Sequence, residues 1–427
     1  MLDRTHAPAF NTIDSLKIEH AQSDQLENGI PVYCVNGGTQ ELVRIDFIFP
    51  AGTCFQPKTL VSSFALQMLE NGTINYTEEE IAENLDFFGS YYSTRTDHEH
   101  SYITLFSLNK QLKNSLHYVT DIIKNASFPE KEFKLLMTNS KQDFIIESKK
   151  VSVLGRRRFF ELLYGNTNPF GKIAKENDFD ELKREELYQF YKENYNLANC
   201  TILVAGKLPN NLFEILNENF GNENIKKINQ LNWPELKIQS TAQREHRVEK
   251  PDAIQNSIRI GRLIFNQQHP DYFKFNILNT ILGGYFGSRL MSNIREDKGY
   301  TYGIGSGLVM NNYTGLFMIG TEVGSDVSDL ALKEIYHEIE ILQQEKVPLE
   351  ELQIVKNYIC GNLLRSIDGP FAVADNFLSI WKMEADYSFF DHKIKAILDC
   401  TPDDIQQLAQ QYLQKNDLIE VVTGKIQ

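Results

Sequence analysis

Residues 293–308 read NIREDKGYTYGIGSGL, and the way this run divides decides the fold. Its first half continues a helical segment, SRLMSNIREDKG at 288–299, with Ser288 as an N-cap and Gly299 as the stop. Lys298 falls in the last turn, where a cation suits the helix dipole, and Arg295 lies one turn before the end. The second half alternates. Tyr300, Tyr302, Ile304, Ser306 and Leu308 are expected on one face of a strand, with Thr301, Gly303, Gly305 and Gly307 on the other. Glycine weakens a strand, so three in alternation call for a reason, such as the close approach of another backbone. The plainer reading has Arg295 complementing the dipole, Tyr302 packing in a core and the glycines accommodating a neighbouring helix.

The elements on either side are equally mixed. SIRIGRLIF at 257–265 is strand-like, YFKFNILNTILGG at 272–284 has helical periodicity, and TGLFMIGTEV at 314–323 is a second strand region. The first half of the chain follows the same plan, with ELVRIDFIFPAG at 41–52, LVSSFALQMLEN at 60–71 and SYITLFSL at 101–108. Strands and helices do not alternate one for one, so an α+β fold with mainly antiparallel sheets is expected rather than a doubly wound parallel sheet.

Three landmarks recur in order. VRIDFIF from Val43 matches IRIGRLI from Ile258, and FPEKEFKLL from Phe128 matches VPLEELQIV from Val347. ELYQFYKENYNLANCTILVAGK from Glu186 matches DIQQLAQQYLQKNDLIEVVTGK from Asp404. The offsets are 215, 219 and 218 residues, the mark of a duplicated unit of about 200 residues. Residues 1–220 and 246–427 are therefore expected to be two like domains. The polar, aperiodic stretch 221–245 is expected to link them.

Bulk properties narrow the function. A net charge of −14 over 427 residues disfavours nucleic acid and anionic membrane surfaces, and leans toward basic or unfolded polypeptides. No apolar run approaches the roughly 20 residues that span a bilayer, and the N-terminal stretch lacks the apolar core of a signal peptide. Cys34, Cys54, Cys200, Cys360 and Cys400 are scattered, without CxxC spacing, as expected for buried, reduced thiols in a cytoplasmic protein. His98 and His100 form a His-x-His pair on an expected strand, but no third ligand accompanies them, and a half-buried polar cluster is the simpler reading. There is no G-x-S-x-G elbow and no cysteine-protease signature. GRRRFF from Gly155 reads as a solvated helix face, and Thr77 as the N-cap of an acidic helix start.

The run from His269 to Leu308 resembles the second domain of the pitrilysin and mitochondrial processing peptidase family, the inverted-motif zinc peptidases named for H-x-x-E-H. HPD, LGG, SRL and the RED-KGYTYG junction carry the likeness, and the duplicated architecture extends it over most of the chain. The resemblance implies that Arg295 and Tyr302 line a closed chamber opposite a zinc site. There they serve the substrate carbonyl and its developing oxyanion. It also implies that Gly303, Gly305 and Gly307 lie near a bound peptide that adds to a sheet edge.

In the family the zinc motif sits in a frame such as GLAHFLEHMLFKGT, with two histidine ligands and a glutamate that polarises water. Here the frame is LVSSFALQMLENGT at 60–73, and the three positions hold Ser63, Leu66 and Gln67. A third ligand would fall near Asp143 or Glu147, but a lone carboxylate does not hold zinc. The resemblance thus implies a chain that binds no metal itself. It would be a subunit that supplies Arg295 and Tyr302 to a homologous, zinc-bearing partner and is inactive alone. In isolation a homodimer could replace that heterodimer. The alternative is a non-catalytic scaffold, or a module that holds peptides without cleaving them.

Overall fold

The computed structural model describes residues 17–225 and 236–426. His6, with the rest of the N-terminal stretch, and the middle of the 221–245 linker lie outside the described residues.

Eleven strands form two sheets among these residues. Strands β1 (Gln22–Gln25), β2 (Pro31–Asn36), β3 (Leu42–Phe49), β4 (Tyr91–Thr96), β5 (Ser101–Leu108) and β6 (Thr201–Gly206) assemble in the order β1-β2-β6-β3-β5-β4. Strands β7 (Glu245–Glu249), β8 (Gln255–Ile264), β9 (Thr301–Met310), β10 (Gly315–Gly324) and β11 (Ile419–Gly424) assemble in the order β7-β11-β8-β10-β9. Apart from β1, the second order repeats the first, with β8 in the place of β3, β11 in that of β6 and β9 in that of β4. The sequence landmarks fall where this correspondence puts them, since β3 and β8 carry the first pair and β6 and β11 end the third. Strands β2 and β6 pair in parallel, whereas β1–β2, β3–β5, β3–β6, β4–β5, β8–β10 and β9–β10 pair antiparallel. This is the α+β arrangement expected from the sequence.

By packing, residues 19–253 with 369–375 and 421–427 make one compact unit, and residues 254–368 with 376–420 make the body of the other. In the first unit, Val43, Ile45, Phe47 and Phe49 of β3 are buried against helices, among them α1 (Val61–Met68) and α3 (Leu112–Asn125). Burying each such side chain contributes about 1.5–3 kcal/mol. The intervening Arg44 and Asp46 point to the opposite face, where Arg44 pairs with Asp46 at 2.9 Å and with Asp375 at 2.7 Å. Arg259 holds the corresponding position on β8 and pairs with Glu322. Each of these strands thus buries an arginine, neutralised by a neighbouring carboxylate, as a buried charge requires.

Local signals explain the element ends. Thr77 caps α2 (Glu78–Phe87) in a reciprocal box, accepting from the Glu80 N–H at 3.2 Å while the Glu80 carboxylate accepts from the Thr77 N–H at 2.8 Å. Gly206 closes β6 at φ +125, and a Cβ there would stand 2.2 Å from the Leu42 carbonyl oxygen. Gly424 closes β11 at φ +149. Only glycine meets both conditions at the first site. Among the described residues no helix is long and apolar enough to cross a membrane.

Candidate functional site

Arg295 sits in a helix that begins at residue 289 and widens into π-helical turns over Met291–Asp297. The buried Leu290 and Ile294 anchor it. It stops as the sequence indicates. Gly299 takes φ +68, and the Tyr300 N–H returns to the Ile294 carbonyl at 3.0 Å. Ser288 precedes the helix, and its carbonyl accepts from the Ser292 N–H, but its buried hydroxyl makes no hydrogen bond. The expected side-chain cap is therefore absent. Two π-helical stretches, Thr280–Gly284 and Met291–Asp297, flank this corner, and such turns recur at functional sites.

The Arg295 guanidinium lies over the Phe286 ring, 4.6 Å from its centre. Its Nη1 is buried and has no hydrogen-bond partner. Tyr302, seven residues on, is 95% exposed. Tyr302 thus presents a free phenol to solvent, while Arg295 keeps one N–H without a hydrogen bond inside the fold; a phenol and a guanidinium are both groups that can donate to a carbonyl or oxyanion.

Strand β9 departs from the simple alternation expected of it. Ile304 pairs with Thr321 and Thr301 with Val323, so β9 spends three steps where β10 spends two. Tyr302 and Gly303 form a bulge. Thr301 and Ile304 consequently share a face, and Tyr302 does not follow Ile304 inward: Ile304 is 5% exposed. The reading of Tyr302 as a core residue is excluded on the same ground.

The glycines divide. A Cβ on Gly303 or Gly307 would meet nothing within 4 Å, and one on Gly305 would come within 3.3 Å of the Gly283 carbonyl oxygen. The close helix approach is met chiefly from the helix side. A Cβ on Gly283 would stand 2.5 Å from the Ser306 nitrogen, and the Ser306 hydroxyl donates to the Asn279 carbonyl at 3.1 Å. Strand β9 ends its sheet, so its outer edge is unpaired by any strand described here.

The zinc-type positions lie in the other unit. On α1, Ser63 is half-buried, Gln67 is exposed, and Leu66 is 3% exposed within the hydrophobic core. Leu60, just before α1, takes φ +78, a left-handed conformation that leucine rarely adopts. Asp143 and Glu147, on the helix Glu130–Glu147, are exposed, and Glu147 pairs with Lys150 at 2.6 Å. These residues do not fit a zinc ion. Nowhere among the described residues do three histidines, cysteines, aspartates or glutamates gather as a metal site.

His98 and His100 lie in the turn between β4 and β5, not on the strand expected for them. The Asp97 carboxylate accepts from the Glu99 and His100 N–H groups at 2.8 and 2.7 Å, which ties the turn. His98 meets the Thr53 hydroxyl at 2.8 Å and packs on Phe170, with ring centres 4.2 Å apart. The five cysteines are unpaired and buried. Burial pushes the thiols of Cys34 and Cys400 up to about 11, so neither is a ready nucleophile.

Sequence reasoning missed Phe286, Gly283 and the pair Thr301 and Thr321. Gly283 was visible as part of LGG, but nothing marked which neighbour required it.

Comparisons with known proteins find likenesses of family and fold. Residues 181–359 match the family described as "Peptidase M16 inactive domain". An uncharacterized zinc protease of Rickettsia felis is 25% identical over 356 residues, covering 81% of this chain and 84% of its own. A probable mitochondrial-processing peptidase subunit beta of Schizosaccharomyces pombe is 21% identical over 275 residues, covering 62% and 59%. Among solved structures, a peptidase M16 inactive domain from Pseudomonas fluorescens superposes with a TM-score of 0.82 at 20% identity, covering 95% of this chain and 98% of that one.

Proposed function

This chain is a relative of the M16 peptidases, and from that premise we infer that it is the zinc-free subunit of a two-chain zinc metallopeptidase. A homologous partner with an intact H-x-x-E-H would carry the metal. This chain would close the chamber around an extended peptide and present Arg295 and Tyr302 to the scissile carbonyl. The β9 edge and the open space over Gly303 and Gly307 would receive the peptide backbone.

One contrast carries the reading. The metal positions have been absorbed into ordinary structure, with Leu66 in the core, while the Tyr302 phenol and one Arg295 N–H make no hydrogen bond within the fold. A buried guanidinium N–H without a partner costs stability, and an exposed tyrosine adds none, so selection for stability alone would keep neither. A scaffold has no need of them. The mitochondrial-processing relative is itself named as a subunit, which supports a partner of the same family. The unpaired thiols support a cytoplasmic location.

The test is to express the chain alone and together with a homologue that retains H-x-x-E-H and is encoded beside it. Zinc content and cleavage of internally quenched peptides are then measured. The reading expects no zinc and no cleavage by this chain, and both in the mixture. Cleavage by the purified chain alone would overturn it.

A further inference from the structure

The bulge that presents Tyr302 removes the Gly303 backbone from the ladder, and two threonine hydroxyls take over its hydrogen bonds. The Gly303 N–H donates to Thr301 Oγ1 at 3.1 Å. The Gly303 carbonyl accepts from Thr321 Oγ1 at 2.9 Å and lies 3.0 Å from Thr301 Oγ1. The two hydroxyl oxygens are 2.9 Å apart, and Thr301 Oγ1 also reaches the Glu322 carbonyl at 2.7 Å. Each hydroxyl has one proton, and one assignment satisfies every group: Gly303 N–H to Thr301, Thr301 O–H to Glu322, Thr321 O–H to Gly303. Thr321 is 1% exposed, and Arg259 fixes its strand by donating from Nη1 to the Thr321 carbonyl at 3.1 Å while its Nη2 pairs with Glu322.

We propose that Thr301 and Thr321 are positioning residues for Tyr302, a clasp that holds the bulge in place and so fixes where the phenol projects. An unpaired bulge residue leaves backbone groups that must be satisfied. Without the hydroxyls, the strand gains by restoring plain alternation, which moves Tyr302 onto the face opposite Thr301 and in line with Ile304. The catalytic meaning rests on the role proposed for Tyr302 above, whereas the clasp itself rests on geometry alone.

The experiment uses the full chain without a partner. Amide hydrogen exchange is followed in the segment 300–305, and the Tyr302 ring is followed by fluorine NMR with fluorotyrosine, its signal identified by loss in Tyr302→Phe. Thr301→Val is expected to speed exchange at Gly303 by about tenfold or more and to shift or split the Tyr302 signal. Thr301→Ser, which keeps the hydroxyl, is expected to match the parent in both. The double variant Thr301→Val/Thr321→Val should exceed the single one. If Thr301→Val fails to fold, Thr321→Val is read in the same way, with the Tyr302 signal as its measure. Unchanged exchange at Gly303 overturns the clasp, and faster exchange with an unmoved Tyr302 signal overturns the positioning role. Neither outcome involves the zinc partner, so an inactive mixture would count against the proposed function and leave this result standing.

Discussion

The Arg295 guanidinium rests on the face of Phe286, 4.6 Å from the ring centre, with a buried Nη1 that bonds to nothing. Phe286 is itself 63% exposed. An exposed cation–π contact stabilises by about 0.5–1 kcal/mol, which offsets only part of the roughly 1–3 kcal/mol cost of a buried, unmet donor. Arg295→Ala should therefore leave the unfolding free energy, read from urea titration, within about 1 kcal/mol of the parent or raise it. In an active mixture the same substitution, like Tyr302→Phe, should slow cleavage by more than about tenfold, up to the roughly hundred- to thousandfold loss typical of one oxyanion donor. A parallel loss of stability and activity would mark Arg295 as a structural residue.

The second prediction concerns Leu66. Its place in the core means that a glutamate there would bury a carboxylate among apolar side chains. Leu66→Glu should cost about 3 kcal/mol or more, read from equilibrium urea unfolding. Ser63 is half-buried and Gln67 exposed, so Ser63→His/Gln67→His should stay within about 1 kcal/mol. The asymmetry would show that the zinc motif is lost by refilling the core and cannot be restored by ligands alone. Tolerance of Leu66→Glu would refute it.

Much of this was legible in the chain because it depends on local pattern. The β3 alternation, the Thr77 and Glu80 box and the Gly299 stop follow from side-chain chemistry within a few residues. The duplication was visible because the Gly-Lys ends of β6 and β11 obey a backbone rule that only glycine satisfies at Gly206. The site was legible in part. The residues Arg295 and Tyr302 could be named, but the face of Tyr302 could not, since a bulge depends on the partner strand. Thr321 lies 19 residues beyond Tyr302 in the chain and meets its neighbour only through sheet register. The histidines at 98 and 100 were misplaced for the opposite reason. A short turn held by one aspartate can sit inside an apparently continuous strand pattern.

The third prediction is a pH dependence. Burial lowers the pKa of His98 below the ordinary 6.5, against a smaller opposing pull from Asp97. Above 6.5 the imidazole is neutral in both folded and unfolded chains and contributes no slope. As pH falls through 6.5 the unfolded chain takes up a proton that the folded chain resists, so stability drops until the folded pKa is reached. His98→Gln should flatten unfolding free energy between about pH 7 and 5 relative to the parent. An NMR titration placing His98 at or above 6.5 would contradict the assignment.

The last prediction separates structure from ligand at the glycines of β9. A Cβ at Gly303 or Gly307 meets no atom, and neither residue has positive φ, so alanine fits both without strain. Gly303→Ala and Gly307→Ala should keep the parent stability or gain up to about 1 kcal/mol through the reduced freedom of the unfolded chain. Gly305→Ala meets the Gly283 carbonyl oxygen at 3.3 Å and should gain less or lose slightly. If the space over the strand is reserved for a peptide backbone, the two harmless alanines will nonetheless impair cleavage of quenched peptides by the mixture, raising KM more than they lower kcat. Alanines that change neither stability nor KM would show that no ligand uses the space, and the glycine pattern would lose its functional meaning.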